Sequence, residues 1–340
     1  MILKSFLIVV TMTLLLAGCK TEQSQNKGNK NDGKIKVGLV FDVGGRGDKS
    51  FNDAAYTGLE KAQNELGIEF EVIDPGEGAD RESALRKLAV KEDVDMIFGV
   101  GFIFTEDITT IANDFPDKIF VCIDYTITDT AAIPPNLLAV EFKEEEGSFL
   151  VGAIAGLITK SDKVGFIGGM ESDLIKKFES GYAQGVKYVN PDAELMVGYV
   201  SVTADGFKNP MKAQEIALSQ YGRGADIIYH ASGLSGIGLF EAARDTKKFA
   251  IGVDLDQYAE APGRVLTSMI KRVDEAVYLT IKNFSSGNFK GGVITYGLKD
   301  KGVGYVFDDN NKEFFSDEVI TKLKDIEKMI IDEQINVSDK

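Results

Sequence analysis

Six apolar runs in this chain stop at residues that can touch a ligand. Val40-Phe41 runs into Asp42, Phe98 into Gly99-Val100-Gly101, Ile123 into Asp124, and Ile167 into Gly168-Gly169. Tyr229 runs into His230-Ala231-Ser232-Gly233 and Val253 into Asp254. A carboxylate accepts hydrogen bonds from vicinal hydroxyls or from the N–H groups of a base, so acids at such ends suit a neutral, hydroxylated or N–H-bearing ligand and argue against a phosphate. Glycines there let backbone approach the ligand. Taken singly, an Asp after a strand is equally a helix cap or turn former; taken together, the three are more informative.

The segment Gly44-Gly45-Arg46-Gly47-Asp48-Lys49-Ser50-Phe51-Asn52 superficially resembles a phosphate loop. Asp48 stands where that motif needs glycine before the lysine, which rejects a Walker-type site. Ser50 is placed to cap the helix that follows and is expected among the ligand-binding residues, with Phe51 and Asn52 in the helix's first turn at the mouth of the crevice. An aromatic ring and an amide there suit stacking on a base and hydrogen bonding to its edge, though Phe51 also fits the apolar face of its own helix. Catalysis finds little support. The chain has one histidine, His230, which removes His-based triads and multi-histidine metal sites. Glu144-Glu145-Glu146 reads as a solvated helix face, and calcium at Asp42, Asp48 and Asp53 lacks the spacing of an EF-hand loop. No cofactor is implied.

These residues need a frame that brings strand ends together. From Ile35 onward, short apolar runs alternate with amphipathic stretches, the pattern of parallel sheets covered on both faces by helices. Carboxyl ends of strands border the ligand crevice in such α/β sheets. One series runs to about Val140 and a similar one from Val164 to Val253, so the fold class expected is α/β with two Rossmann-like lobes. The expected division is 35–142 plus 254–290 for the first lobe and 143–253 plus 291–340 for the second, joined by a multi-strand hinge. The ~300 residues involved exceed one comfortable core, in keeping with two lobes.

The N-terminus, MILKSFLIVVTMTLLLAGC, carries Lys4, an apolar run and a small-residue approach to Cys19. It reads as an export signal over 1–18, resembling a lipobox with Cys19 as the lipidated residue and membrane anchor; a plain secretory signal is the alternative. Residues 19–34 are polar and read as a flexible tether. Cys122, in an apolar run, reads as a buried thiol. The chain has 53 acidic against 38 basic residues and a net charge of −15, which excludes the basic footprint of a nucleic-acid binder.

Longer stretches resemble the basic membrane protein family of lipoproteins, which includes purine nucleoside receptors of bacterial ABC importers, spirochaetal ones among them. The resemblance rests on Val37–Ala62, Val121–Asp129, Glu145–Gly156, Val164–Asp192, Phe249–Tyr258 and Val265–Arg272, in the same order. It implies a type I periplasmic-binding fold with three hinge crossings. It also implies a monomer that captures adenosine, guanosine or inosine and delivers it to a permease driven by an ATPase. By the same resemblance Phe51 and Phe178 sandwich the purine and Asn52 and Asp124 read its edge. Asp254 and Lys271 bind the ribose as a charge pair, Ser232-Gly233 lies near the sugar, and Asp42 completes the first-lobe wall. Ser232 departs from the glycine that purine receptors often carry. Two other readings of the same residues are a surface adhesin that kept the fold and a nucleoside hydrolase.

Overall fold

The structure, a computed structural model, describes residues 33–74, 81–127 and 129–340. The expected leader, Cys19 and the tether as far as residue 32 lie outside the described residues. Runs that are apolar at every position become strands buried on both faces, and the turn to a 3.6-residue period marks each helix that covers them. In chain order the first strands are β1 (Lys36–Val40), β2 (Glu69–Ile73), β3 (Met96–Val100), β4 (Ile119–Ile123), β5 (Leu137–Phe142) and β6 (Lys163–Met170). There follow β7 (Glu194–Ser201), β8 (Ile227–Ala231), β9 (Phe249–Asp254), β10 (Val265–Lys271), β11 (Gly292–Tyr296) and β12 (Val303–Tyr305). The helices are α1 (Phe51–Leu66), α2 (Arg81–Ala89), α3 (Thr105–Asp114), α4 (Glu144–Ile158), α5 (Asp173–Val189), α6 (Pro210–Gly222), α7 (Gly236–Thr246), α8 (Val273–Ser285) and α9 (Asp317–Ile331).

Two six-stranded sheets form. The first has the order β11-β5-β4-β3-β1-β2 and the second β12-β10-β9-β8-β6-β7. Every neighbouring pair is parallel except β10 with β12. The two orders are the same order, so β1, β3, β4 and β5 of one sheet correspond to β6, β8, β9 and β10 of the other. Each sheet is thus half of an internally duplicated α/β architecture, as the alternation of the sequence predicts.

Two strands sit in the opposite sheet from the one expected. Val265–Lys271 falls in the 254–290 segment assigned to the first lobe, yet β10 pairs with β9 in the second sheet. Gly292–Tyr296 falls in the 291–340 segment assigned to the second lobe, yet β11 pairs with β5 in the first. The stretch between β9 and β10 holds only a short 3-10 turn at Tyr258–Glu260, and it returns the chain to the same sheet without a helix. A parallel return usually carries a helical crossover, and the lack of one made Asp254 look like the passage between lobes.

The chain passes between sheets at three places: Phe142 to Glu144, Lys271 to Val273, and Tyr296 to Val303. They run side by side, with the Lys143 amide donating to the Tyr296 carbonyl at 2.9 Å and the Arg272 amide to the Gly302 carbonyl at 2.8 Å. Helix α8 belongs with the first lobe: Lys61 of α1 meets Glu275 of α8 at 2.7 Å, and Gly58 lies directly against Asp274 and Val277. The segments Arg81–Ala89 and Thr105–Asp114, after β2 and β3, are both helices. Among the described residues no helix is long and apolar enough to cross a membrane.

Candidate functional site

The carboxyl ends of β1, β4, β8, β9 and β10 converge on one crevice between the two sheets. Asp42, Phe51, Asn52, Asp124, Phe178, Ser232, Gly233, Asp254 and Lys271 all border it. Phe51 and Asn52 come from the first turn of α1, Phe178 from α5, and Lys271 is the last residue of β10, at the hinge. Ser50 lies behind this wall and donates its hydroxyl to the Asp254 carboxylate. The strand end at Gly168-Gly169 is not part of the wall. Its glycines leave room for Tyr199 and Phe207, whose rings would collide with a Cβ there.

The loop before α1 is organised by Asp48, not Ser50. The Asp48 carboxylate accepts from the amides of Ser50 and Asn52, each at 2.9 Å, from that of Asp53 at 3.1 Å, and from Asn52 Nδ2 at 3.0 Å. It satisfies the orphan donors of a helix start. Ser50 makes no cap hydrogen bond and so has its hydroxyl free for Asp254. Asn52 Oδ1 accepts from the Asp42 amide at 2.9 Å, which ties α1 to the end of β1. Asp53 takes Arg46 at 2.7 Å and the amides of Gly47 and Lys49, so Asp48 and Asp53 are engaged with their own loop.

Lys271 is the only fully buried lysine among the described residues. Its Nζ lies 2.6 Å from Asp124 Oδ2 and 2.9 Å from Glu144 Oε1, and 5.0 to 5.5 Å from the ring centroids of Phe142, Phe51 and Phe178. Burial works against its charge, but the carboxylates of Asp124, Glu144 and Asp254 outweigh it and hold the pKa above the ordinary lysine value. The expected Lys271–Asp254 pair is therefore replaced. Asp124 and Glu144 make the direct contacts, while Asp254 contributes its field from farther off. Glu144, expected on a solvated face, is fully buried at the start of α4.

The crevice acids are held uncomfortably. Burial lifts the Asp42 carboxyl to about 7, with the Val43 amide opposing and the Asp124 charge adding. It lifts Asp254 to about 7 against the pull of Lys271 and the Ser50 hydroxyl, and Asp124 to about 6 against that of Lys271. Asp124 Oδ1 has no hydrogen-bond partner among the described residues. Asp124 and Asp254, which close the corresponding strands β4 and β9, both adopt left-handed backbone, with φ of 63° and 67°. Non-glycine residues rarely do so, and such strain gathers at ligand clamps. Gly101 has its own reason to lack a side chain: a Cβ there would lie 2.2 Å from Asp42 Oδ2.

A family model for PnrA-like substrate-binding proteins of ABC transporters matches residues 35–340. This chain belongs to the Bmp family. Among its relatives, an uncharacterized lipoprotein of Pyrococcus horikoshii is 36% identical, covering 94% of this chain and 81% of that one. Basic membrane protein A of Borreliella burgdorferi is 33% identical, covering 98% and 95%. Among solved structures, an ABC transporter solute-binding protein of Aeropyrum pernix superposes with a TM-score of 0.83 at 28% identity, over 90% of this chain and 94% of that one. The fold of this Bmp protein is accordingly that of the type I periplasmic-binding proteins, and the family is one of substrate-binding proteins.

Sequence reasoning missed several parts of this Bmp crevice. Phe102 follows Gly101 directly, and the strand-end glycines were a signal for it. Leu174 and Ile175 share the first turn of α5 and were legible once Phe178 was placed. Phe207 ends the 3-10 turn Ala204–Phe207 that closely follows β7, with no local pattern to announce it. Gln257, three residues past Asp254, donates from Nε2 to the Lys49 carbonyl at 2.9 Å and so bridges the lobes. Cys122 is free and buried, as its apolar run predicts.

Proposed function

We propose that this chain is an extracytoplasmic receptor, anchored through a lipid on Cys19, that closes its lobes on a purine nucleoside and delivers it to an ABC permease and its ATPase. The observation that carries this reading is the union, in one crevice, of phenylalanines from opposite lobes with buried carboxyls, one of whose oxygens, Asp124 Oδ1, has no donor among the described residues. Phe51 and Phe178 offer π-faces to a flat base, each stack contributing about 1–3 kcal/mol with little regard for which base it is. Asn52 and Asp124 serve the base edge, and Asp254 and Lys271 the vicinal hydroxyls of the ribose. A buried acceptor discriminates strongly against a ligand that lacks the matching hydroxyl, because the acceptor is then left unpaired. Asp42 and the Ser232-Gly233 turn complete the wall.

The Leu16-Ala17-Gly18-Cys19 stretch and the lipoprotein name of the Pyrococcus relative support the anchor and the extracytoplasmic location. Capture and release by hinge closure, with no bond in the ligand broken, fits the three crossings and the family's membership among substrate-binding proteins. Titration calorimetry with inosine, guanosine, adenosine and free ribose tests the ligand. Micromolar binding of at least one purine nucleoside, and far weaker binding of ribose, is expected. Silence with all three nucleosides would sink the claim.

A further inference from the structure

His230, the only histidine of the chain, is fully buried beside the crevice with both ring nitrogens engaged. Nε2 faces Gln257 Oε1 at 3.0 Å and Nδ1 faces Ser232 Oγ at 3.2 Å. The orientation of the Gln257 amide follows from its other neighbours. Oε1 accepts from the Val253 amide at 2.8 Å, which can only donate, and Nε2 donates to the Lys49 carbonyl at 2.9 Å, which can only accept. His230 must therefore present Nε2–H to that oxygen. Burial pulls its pKa down to about 4, so the ring is neutral near pH 7 and Nδ1 carries a lone pair. The neighbour of a lone pair is a donor, and Ser232 has a single hydroxyl hydrogen to give.

We propose that Ser232 determines specificity through this fixed polarity: its one hydrogen is committed to His230, so it offers a ligand lone pairs only and requires a donor opposite it. A ligand hydroxyl or N–H is accepted at that point of the wall; an ether or carbonyl oxygen is refused. Gln257 and His230 are positioning residues. The fold makes room for them at two glycines. A Cβ on Gly236 would lie 2.0 Å from His230 Cε1, and one on Gly252 would lie 2.7 Å from Gln257 Oε1 and 2.4 Å from Ser268 Oγ, which accepts from the Gln257 backbone N–H. Phe240 meets the imidazole edge-on, with centroids 5.3 Å apart. The relay starts on the first lobe at Lys49 and ends on the second at Ser232, on the crevice wall.

The choice of test ligand rests on the nucleoside reading, whereas the relay is tested without any ligand. Untagged, 15N-labelled protein gives one set of imidazole signals in a long-range 1H–15N correlation spectrum. The neutral Nε2–H tautomer between pH 6 and 8 is expected; an Nδ1–H tautomer or an imidazolium over that range overturns the proposal. Affinities are then compared for inosine and its 2′-, 3′- and 5′-deoxy and O-methyl derivatives, on the wild type and on Ser232→Ala. One O-methyl compound is expected to bind about tenfold or more weakly than inosine in the wild type, with most of that discrimination lost in the variant. Discrimination unchanged at every position overturns the proposal. Should no nucleoside bind, the nucleoside reading fails, and the tautomer alone decides the relay.

Discussion

Asp42 and Asp254 titrate near 7 in the folded protein and near ordinary carboxylate values in the unfolded chain. Between those limits the folded state binds more protons. Their contribution to stability is therefore full below the unfolded value and is lost as pH rises through about 7. His230 acts in the opposite sense: its contribution is present above the ordinary imidazole range and is lost as pH falls through about 4. Asp254→Asn removes one buried carboxylate charge. Ligand-free protein carrying it is expected to gain about 1–3 kcal/mol at pH 8 and almost nothing at pH 5, as measured by urea denaturation at the two pH values. An equal gain at both would show that the charge is not the cause. Ligand groups that donate to these carboxyls favour the ionised form, so binding at pH 6.5 is expected to release protons. Calorimetry in two buffers of different ionisation enthalpy counts them, and net uptake would contradict the assignment.

At the scale of elements, the hinge is secured by a side chain at the end of β10 and another at the start of α4. Lys271→Met leaves Asp124 without its direct cation and Glu144 with only Lys177, 3.6 Å from its other oxygen, at an expected cost of about 3–5 kcal/mol in chemical denaturation. Adding Glu144→Gln is expected to recover part of it, and additive losses would argue against the contact. The loops after β9 and before α1 meet through the Ser50 hydroxyl on Asp254 and through Gln257 on the Lys49 carbonyl. Ser50→Ala is expected to lower ligand affinity about fivefold by weakening that junction, with little change in unfolding midpoint. Much of this scale was legible beforehand. The strands and most helices follow from apolar runs and 3.6-residue periods, and the acids at strand ends mark the wall. Glu144 was not legible: three consecutive glutamates differ only in direction, and α4 is apolar around most of its length, so its own pattern gives no inward side. Only the position of Lys271 across the hinge picks out the buried one. The partnership of Asp254 with Ser50 was likewise hidden, because it depends on Asp48 having taken over the start of α1.

For the whole molecule, discontinuity is the governing fact. The first sheet is completed by β11, and α1 is covered by α8, both returning from beyond the second lobe. A fragment of 35–142 alone leaves the edge of β5 and the apolar face of α1 without partners. It is expected to stay unfolded by circular dichroism, and joining 273–296 to it through a short flexible linker is expected to restore cooperative folding. A fragment that folded without that segment would show the lobes to be more independent than the sheet order implies. The sequence foretold a divided chain and misplaced two of its strands, because a passage between lobes and a short return to the same sheet look alike when neither holds a helix.

The shared strand order puts Asp124 opposite Asp254 as counterparts, each closing the corresponding strand with the same left-handed turn. A wall built twice from one plan has no head or tail of its own, and a ligand lying across it would meet the same acid from either side. The copies part company one strand further along, where β5 ends in Phe142 and β10 in Lys271. Lys271 borders the crevice and Phe142 does not, just as Asp42 after β1 borders it and Gly168-Gly169 of β6 do not, so two halves drawn to one plan present different groups to whatever lies between them.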